Sequence, residues 1–177
     1  MKSMPVIVLT LLLTFGFSAQ TSAGETDQVF GRLGSIEVLG DAPHHLTFGL
    51  GVFDMLDDDS SVAGAIEGRS GNKLGFIGPL AGIIGNVDGD ILGYAGFYAD
   101  FAIGDLIISP QTGVGAYEHG DGNDLGGTLE FFSALTVSHR FENRSQLGMR
   151  IGHISNLNLY DKNPGTDLLL LHYGIAF

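Results

Sequence analysis

The sequence contains no cysteine and few basic residues, and both absences exclude whole classes of protein. Without cysteine, the chain has to fold without disulfides. Eight lysine and arginine residues stand against twenty aspartate and glutamate residues, and the net charge of −12 argues against nucleic acid as a partner. Proline occurs only five times and the 28 glycines have no period of three, which excludes a collagen-like chain.

Long apolar runs are also missing beyond the N-terminus, so no transmembrane helix is predicted there. Lys2 precedes the N-terminal run, which extends over residues 6–17, and the small residues Thr21 and Ala23 follow it. This order is typical of a secretory signal peptide that is cleaved after Ala23. We therefore predict a signal peptide over residues 1–23 and a single domain over residues 24–177.

The rest of the chain alternates apolar residues with small or polar ones, in segments that turn residues separate, which is typical of β-strands. Short connections such as Gly104-Asp105 alternate with longer polar ones such as residues 116–125. Outer-membrane barrels have this asymmetry, with short periplasmic turns and longer external loops. The predicted fold is all-β, an eight-stranded antiparallel up-and-down transmembrane β-barrel in a bacterial outer membrane. The predicted strands are 46–54, 62–69, 73–86, 90–102, 105–115, 126–139, 146–156 and 167–177.

Side-chain parity predicts that the outer wall of this barrel faces lipid. In segment 126–139 the odd-numbered positions are mostly apolar, whereas the even-numbered ones include Glu130. An apolar outside around a small and polar inside suits a barrel in lipid better than a soluble sandwich. We expect Glu130, Arg140 and Arg150 to face inward and to pair across the narrow lumen.

Three segments are ambiguous. Strands 73–86 and 105–115 are rich in glycine and apolar on both sides, so their parity is undecided. Segment 29–40 fits either a short helix at the periplasmic side or an additional strand.

A histidine, a serine and an aspartate share one strand face beside the last connection. Successive side chains of a strand point to opposite faces, so His153 and Ser155 lie on the same apolar, outward side. Asp167 has the same parity at the facing end of the next strand. An imidazole between a hydroxyl and a carboxylate is the arrangement of a Ser-His-acid hydrolase. Polar groups on a lipid-facing stripe are costly, which favours a function for them at the external end of the barrel, facing the outer leaflet.

The residues around this face resemble the motif of the lipid A 3-O-deacylases, the PagL family. The resemblance rests on His153-Ile154-Ser155-Asn156, on Asn163-Pro164-Gly165, and on the acidic residue Asp167 before the final strand. The C-terminal aromatic residue Phe177 is similar to the terminal signature of bacterial outer-membrane barrels.

This resemblance implies an outer-membrane carboxylic ester hydrolase that removes the ester-linked acyl chain at the 3 position of lipid A, without a metal or other cofactor. His153 matches the base of the family, Ser155 its nucleophile, and Asn156 and Asn163 its motif asparagines. The family's acid is normally glutamate, so Asp167 is one methylene shorter. An oxyanion hole is expected either from backbone N–H groups after Ser155 or from the Asn156 side chain. The expected partners are lipopolysaccharide and membrane lipid.

The remaining histidines and the acidic loops have weaker claims to chemistry. We interpret His44, His45, His119 and His172 as structural or solvated residues. The acidic residues 57–59 and 117–124 lack an EF-hand pattern, so no metal is assigned. Two other functions stay open: a non-enzymatic barrel that stabilises the membrane or binds ligands with its loops, and a soluble secreted β-protein that binds an apolar ligand. The accepted acyl length and the formation of a homodimer are also open.

Overall fold

The computed structural model describes residues 27–56 and 60–177. The predicted signal peptide, residues 1–23, lies outside the described residues. Within the two described ranges, no helix is long and apolar enough to cross a membrane. The strands are β1 (Val29–Leu33), β2 (Ile36–Leu39), β3 (His45–Phe53), β4 (Ser61–Arg69), β5 (Ile77–Asn86), β6 (Ile91–Ile103), β7 (Leu106–Glu118), β8 (Leu129–Arg140), β9 (Gln146–Ser155) and β10 (Thr166–Ala176).

Strands β3 to β10 close into a ring. Each strand pairs antiparallel with the next one along the chain, and β10 returns to pair with β3, with Leu168 opposite Phe53 and Ala176 opposite His45. Closure gives each of these eight strands a hydrogen-bonding neighbour on both sides, which a β-structure in lipid requires. The predicted eight-stranded antiparallel up-and-down barrel is confirmed.

The two ends of the barrel differ in their connections. At one end, which we call the turn end, Gly104-Asp105 joins β6 to β7 and residues 141–145 join β8 to β9. At the opposite end, the loop end, residues 119–128 join β7 to β8 and residues 156–165 join β9 to β10. These four connections have the asymmetry that the sequence predicts. The β4–β5 connection at the turn end, residues 70–76, is longer than the short turn predicted at Gly71-Asn72, and the β5–β6 connection at the loop end, residues 87–90, is short.

Some strand boundaries differ from the predicted ones for local reasons. β5 begins at Ile77 rather than at residue 73, because Leu74 and Ile77 form an isolated bridge around a turn in which Gly75 has a φ of 69°. β7 continues to Glu118, because its backbone stays paired with β6 as far as Ile91. The ambiguous segment 29–40 forms a hairpin of two strands, β1 and β2, and β2 pairs with the turn-end part of β6.

Side chains alternate between the two sides of the wall, as parity predicts. In β9, Met149 and Ile151 are exposed on the outside, whereas Arg150 between them is buried inside. In β10, Leu171 is exposed and His172 is buried. The structure also determines which residues of β5 and β7, the two strands of undecided parity, face inward. Their buried inward residues include Leu80, Ile84, Ile107, Ser109, Gln111 and Tyr117.

The interior is filled by side chains rather than open. Apolar residues occupy mostly its loop-end half, where the rings of Tyr94 and Phe132 lie 4.6 Å apart. Filling by side chains is what the narrow bore of an eight-stranded barrel predicts. Further members of this core are Phe53, Ile84, Leu92, Leu125, Ile154, Leu168 and Leu170.

Glu67 of β4 is the centre of a buried polar network on the turn-end side of this core. Its Oε1 accepts hydrogen bonds from Arg150 at 2.6 Å and from Arg69 at 2.8 Å. Its Oε2 accepts hydrogen bonds from the Tyr94 hydroxyl at 2.6 Å and from the Gln111 amide at 3.0 Å. A buried carboxylate with this many donors avoids much of the desolvation cost of an isolated ion.

The predicted pairing among Glu130, Arg140 and Arg150 is wrong. Arg150 pairs with Glu67 instead, and Arg140 contacts Asp27 at the turn end. Glu130 is buried, and neither of its carboxylate oxygens has a hydrogen-bond partner among the described residues. Glu130 and Arg140 stand at opposite ends of β8, roughly 30 Å apart at the rise of a strand, so they cannot meet.

Candidate active site

His153 and Asp167 face each other across β9 and β10. The register pairs the two residues directly, and directly opposed side chains of an antiparallel pair are close enough to interact. Nδ1 of His153 lies 2.9 Å from Oδ1 of Asp167. The histidine side chain is 52% exposed on the outer wall of the barrel. The aspartate therefore reaches the imidazole directly, although it is shorter than a glutamate.

Ser155 lies two residues beyond His153, at the loop end of β9 and on the same outward side. Gly165 shows which way the ring points, because a β-carbon at this glycine would lie 2.9 Å from Cε1 and 3.3 Å from Nε2 of His153. Gly165 directly precedes Thr166, which pairs with Ile154, so Nε2 is directed toward the loop end, where Ser155 lies. Neither Nε2 nor the Ser155 hydroxyl has a hydrogen-bond partner within residues 27–56 and 60–177.

A second serine also lies beside the imidazole. Ser133 of β8 is directly opposite His153, so Ser133, His153 and Asp167 form one row across three strands. The Ser133 hydroxyl is 3.5 Å from the hydroxyl of Thr112. The sequence alone does not identify this serine as part of the site. Its odd parity predicts that it lies on the outer wall, but only the register of β8 with β9 places it beside His153.

The two motif asparagines hold the β9–β10 loop in place. Asn156 is buried, and its side-chain amide donates to the backbone carbonyls of Leu125 at 2.7 Å and Lys162 at 2.8 Å. Its backbone N–H donates to Oδ1 of Asn163 at 3.0 Å. The amide of Asn163 in turn donates to Oδ1 of Asn158 at 3.2 Å. Both amide hydrogens of Asn156 are thus engaged with carbonyls in this structure.

The backbone directly after Asn156 is unusual. Leu157 and Asn158 have φ angles of 54° and 62°. Asparagine adopts this left-handed conformation readily, whereas it costs a leucine about 1–2 kcal/mol. The turn is closed by the N–H of Leu159, which donates to the carbonyl of Asn156 at 3.0 Å. In the described part of the chain, no acceptor contacts the N–H groups of Leu157 and Asn158. Strain of this kind concentrates at functional sites.

The strand end that carries Asp167 is fastened by two other loops. Thr166 donates to Oδ1 of the buried Asp54 at 2.9 Å, and the N–H of Met55 donates to the carbonyl of Asp167 at 3.2 Å. Asn123 of the β7–β8 loop donates to Oδ2 of Asp54 at 3.0 Å. The sequence alone does not reveal these roles of Asp54 and Asn123, because the contacts join segments that are distant along the chain.

An ion pair adds a further link between the β7–β8 and β9–β10 loops. Nζ of Lys162 is 3.2 Å from Oδ2 of Asp124. The Gly126 N–H, which donates to Asp124 at 3.0 Å, and then Lys162 hold the pKa of the Asp124 carboxyl below its usual range. Because both side chains are exposed, this pair contributes little to stability.

Apolar side chains surround the site on the outer wall. Phe131 of β8 is directly opposite Ser155. The hydroxyl of Tyr160 accepts a hydrogen bond from the N–H of Leu129 at 3.2 Å, which holds the tyrosine ring against the wall. The site therefore opens onto an apolar surface of the outer wall. Other exposed apolar residues at this end are Leu157 and Leu159.

The other five histidines lie away from this site, and His139 is opposite Leu147 near the turn end of β8. His44 and His45 lie at the turn end, where Nδ1 of His44 accepts from the Gly71 N–H at 3.0 Å. His119 is exposed in the β7–β8 loop, and His172 is buried inside the barrel. Among the residues that the structure describes, no group of three or more histidine and acidic side chains is placed to hold a metal ion.

Two solved structures are similar to this chain in fold. The crystal structure of the outer membrane enzyme PagL is similar with a TM-score of 0.57 and 22% sequence identity, covering 75% of this chain and 99% of that one. A structure from the de novo design of transmembrane β-barrels gives a TM-score of 0.58 at 10% identity, covering 77% and 97% of the two chains. No protein of curated function matches the chain.

The two similar structures show the barrel fold, and a match to a family model shows the family to which the chain belongs. The model described as lipid A 3-O-deacylase (PagL) matches residues 46–176, which include β4 to β10 and nearly all of β3. The His153–Asp167 pair, Ser155 and both motif asparagines lie within this range. The chain is an outer-membrane β-barrel that belongs to the lipid A 3-O-deacylase (PagL) family.

Proposed function

We propose that this protein is a serine esterase that hydrolyses the ester at the 3 position of lipid A and releases the acyl chain. The observation that carries the proposal is the contact of 2.9 Å between His153 and Asp167 on the lipid-facing wall, two residues from Ser155. A histidine that a carboxylate holds at one ring nitrogen keeps the other for proton exchange. Membership in the family supplies the substrate class.

In this mechanism Ser155 is the nucleophile and His153 the general base. Oγ of Ser155 attacks the ester carbonyl carbon while Nε2 of His153 takes the hydroxyl proton. Collapse of the tetrahedral intermediate breaks the bond to the sugar oxygen, which receives that proton from the imidazolium. Water then attacks the acyl-serine with the help of the same base, releasing the fatty acid and restoring Ser155. Asp167 fixes the imidazole tautomer and stabilises the imidazolium.

The oxyanion of the intermediate needs donors that are not already engaged. Both amide hydrogens of Asn156 bind carbonyls, which favours backbone N–H groups for this role. The N–H of Asn156, which follows the nucleophile directly, is also engaged, with Oδ1 of Asn163. The next two N–H groups, those of Leu157 and Asn158, are therefore the candidates, and they lie in the turn that the Leu159–Asn156 hydrogen bond closes. Asn156 and Asn163 then position substrate groups indirectly, by ordering that turn.

The site also suits a substrate that stays in the membrane. His153 and Ser155 are on the outward side of β9 at the loop end, beside the exposed apolar residues of the wall. In outer-membrane barrels the longer loops are external. We therefore place the site at the outer leaflet, where an acyl chain of lipid A reaches Ser155 without leaving the bilayer.

Mass spectrometry of lipid A, before and after incubation with the purified barrel, tests the proposal. The expected product has lost one acyl group from the 3 position, and both Ser155→Ala and His153→Ala abolish this loss. Full activity of Ser155→Ala would contradict the mechanism, and an inactive wild-type barrel in folded form would favour the non-enzymatic alternative.

Ser133→Ala is the matched control, because Ser133 is the other serine on the wall beside His153. We expect it to keep activity, since Nε2 of His153 is directed toward the loop end rather than across the row. Loss of activity in Ser133→Ala together with activity in Ser155→Ala would move the nucleophile to Ser133.

A further inference from the structure

The β1–β2 hairpin is a part of the structure that the proposed function leaves unused. It lies before residues 46–176, which the family model matches. β2 continues the hydrogen-bond ladder of β6 where β5 has not yet begun: Ile77, the first residue of β5, pairs with Ala99, and Leu39 pairs with Asp100. The hairpin therefore extends the barrel wall at the turn end.

The hairpin is fastened firmly to the barrel. Leu39 is buried against Ala102 and Ile107 on the inner side of the wall. Nζ of Lys73 donates to the carbonyl of Leu39 at 3.3 Å and pairs with Asp100 at 2.9 Å. These contacts join the hairpin to β6 and to the turn between β4 and β5. They fix which face of the hairpin points outward from the barrel and which points inward.

The chain that enters the hairpin is held as well. Asp27 contacts Arg140 and lies 2.9 Å from Arg144, at the turn between β8 and β9. The chain is therefore held at the β8–β9 turn just before β1 begins.

The two faces of the hairpin differ in chemistry. On the inner side, the side that carries Leu39, Arg32 and Glu37 form an ion pair at 2.6 Å. On the outer side, Leu33 is directly opposite Ile36, and Val38 lies beside the outward-facing Phe101 of β6. The outer side is apolar along its whole length, and its tip residue Leu33 is 67% exposed.

Phe30 enlarges this apolar surface. It occupies a bulge in β1, and its ring lies 5.5 Å from the ring of Phe76 in the β4–β5 turn. Phe30 is 60% exposed and the neighbouring Leu74 is 90% exposed. The surface is thus continuous with the outer wall of the barrel, which faces lipid.

The outer edge of β1 limits how deep the hairpin can lie. β1 is the last strand of the sheet on this side, so its free edge has no partner strand within the described residues. Unpaired backbone groups are costly in hydrocarbon, whereas at the membrane surface water and headgroups satisfy them. The hairpin is therefore suited to the interface and not to the middle of the bilayer.

We propose that the outer face of the hairpin, formed by Phe30, Leu33, Ile36 and Val38, docks into the lipid–water interface at the turn end of the barrel. Its partner is the lipid surface, because the face continues the lipid-facing wall of β6 without a break. The charged inner face, with Arg32 and Glu37, stays in water.

Fluorescence quenching tests this proposal, because the sequence has no tryptophan and each single substitution adds the only one. Leu33→Trp and Arg32→Trp place it at neighbouring positions on opposite faces of one strand. Both variants are folded into phosphatidylcholine vesicles whose acyl chains carry bromine close to the headgroup, and quenching by these lipids is compared with quenching by aqueous iodide. Val38→Trp is a second reporter of the outer face, and Tyr173→Trp on the outer wall is the lipid-facing standard.

We expect the brominated lipid to quench Leu33→Trp and Val38→Trp several-fold more strongly than Arg32→Trp, and iodide to do the reverse. Equal access of iodide to both faces would overturn the proposal. Protection of the outer face from both quenchers would also overturn it, because a protein, such as a second copy of this chain, would then cover that face.

Discussion

At the scale of the residue, Gly165 links the conformation of the last loop to the position of the imidazole. Its φ of 68°, and the 2.9 Å that would separate an added β-carbon from Cε1 of His153, predict two separate costs for Gly165→Ala. The backbone strain is about 1–2 kcal/mol of folding free energy, and the displaced ring lowers the rate of acyl release. The rate of release, measured together with folding stability, separates the two.

Gly34→Ala is the control for this prediction, because Gly34 has a similar φ of 64° and open space around its β-carbon position. Gly34→Ala should lower folding stability by a similar amount but leave the rate of acyl release unchanged. Equal rates for the two variants would mean that Gly165 does not position His153.

Asp167 gives a second prediction at this scale. Because Oδ1 already contacts Nδ1 of His153 at 2.9 Å, Asp167→Glu should bring no gain in rate, although it restores the family's usual acid. Asp167→Asn keeps the size but removes the charge and disturbs the tautomer, so the rate should fall roughly 10²- to 10⁴-fold. Steady-state rates of acyl release check both variants, and an unchanged rate in Asp167→Asn would remove the aspartate from the mechanism.

Parity was enough to predict that His153, Ser155 and Asp167 share one face, because a hairpin of alternating strands leaves few other arrangements. It was not enough to predict the contact of Gly165 with the ring or the carbonyl partners of Asn156. These depend on how the loops pack on each other. The position of Ser133 beside His153 could not be predicted, because it depends on the register between β8 and β9. Alternation of side chains along a strand does not reveal that register.

At the scale of the strand, the buried network around Glu67 is the most sensitive feature. Arg69, Lys73 and Arg150 oppose Glu67 and Asp100 in this part of the interior. Glu67→Gln leaves the three cations with a single carboxylate and should lower the free energy of unfolding on the order of 3–5 kcal/mol, as loss of one buried partner does. Arg150→Met leaves two charges of each sign and should cost less. Urea unfolding of the two variants in the same lipid gives the comparison, and the reverse order would contradict this account.

The strand positions were largely predictable, since apolar alternation and turn residues mark them along the chain. The partners of Arg140 and Arg150 were not, because they depend on which strands meet across the bore. The sequence does not decide between helix and strand for the hairpin at 29–40 for a related reason. Its β2 strand pairs with an edge of β6 that exists only after the barrel has formed, and such tertiary pairing outweighs local preference.

At the scale of the whole molecule, the lipid-facing belt predicts where a charge is tolerated. Ile151→Arg places a cation on the outer wall, where near the bilayer midplane it costs about 2–4 kcal/mol. Val87→Arg places the same cation in the connection between β5 and β6, at a side chain that is 73% exposed at the loop end, and should be nearly neutral. The folded fraction after insertion into vesicles measures both, and similar fractions would mean that the belt is assigned wrongly.

The hydrogen bonds from Asn156 to Leu125 and Lys162 have a consequence for engineering and for divergence among relatives. The residues that hold the turn after Ser155 come from two loops, and Asp54 brings in a third through Thr166 and Asn123. Grafting the segment 156–165 alone onto another barrel would transplant the motif without its support. The unit that can be exchanged is the set of three loops, and related chains that change one of them are expected to change the others with it.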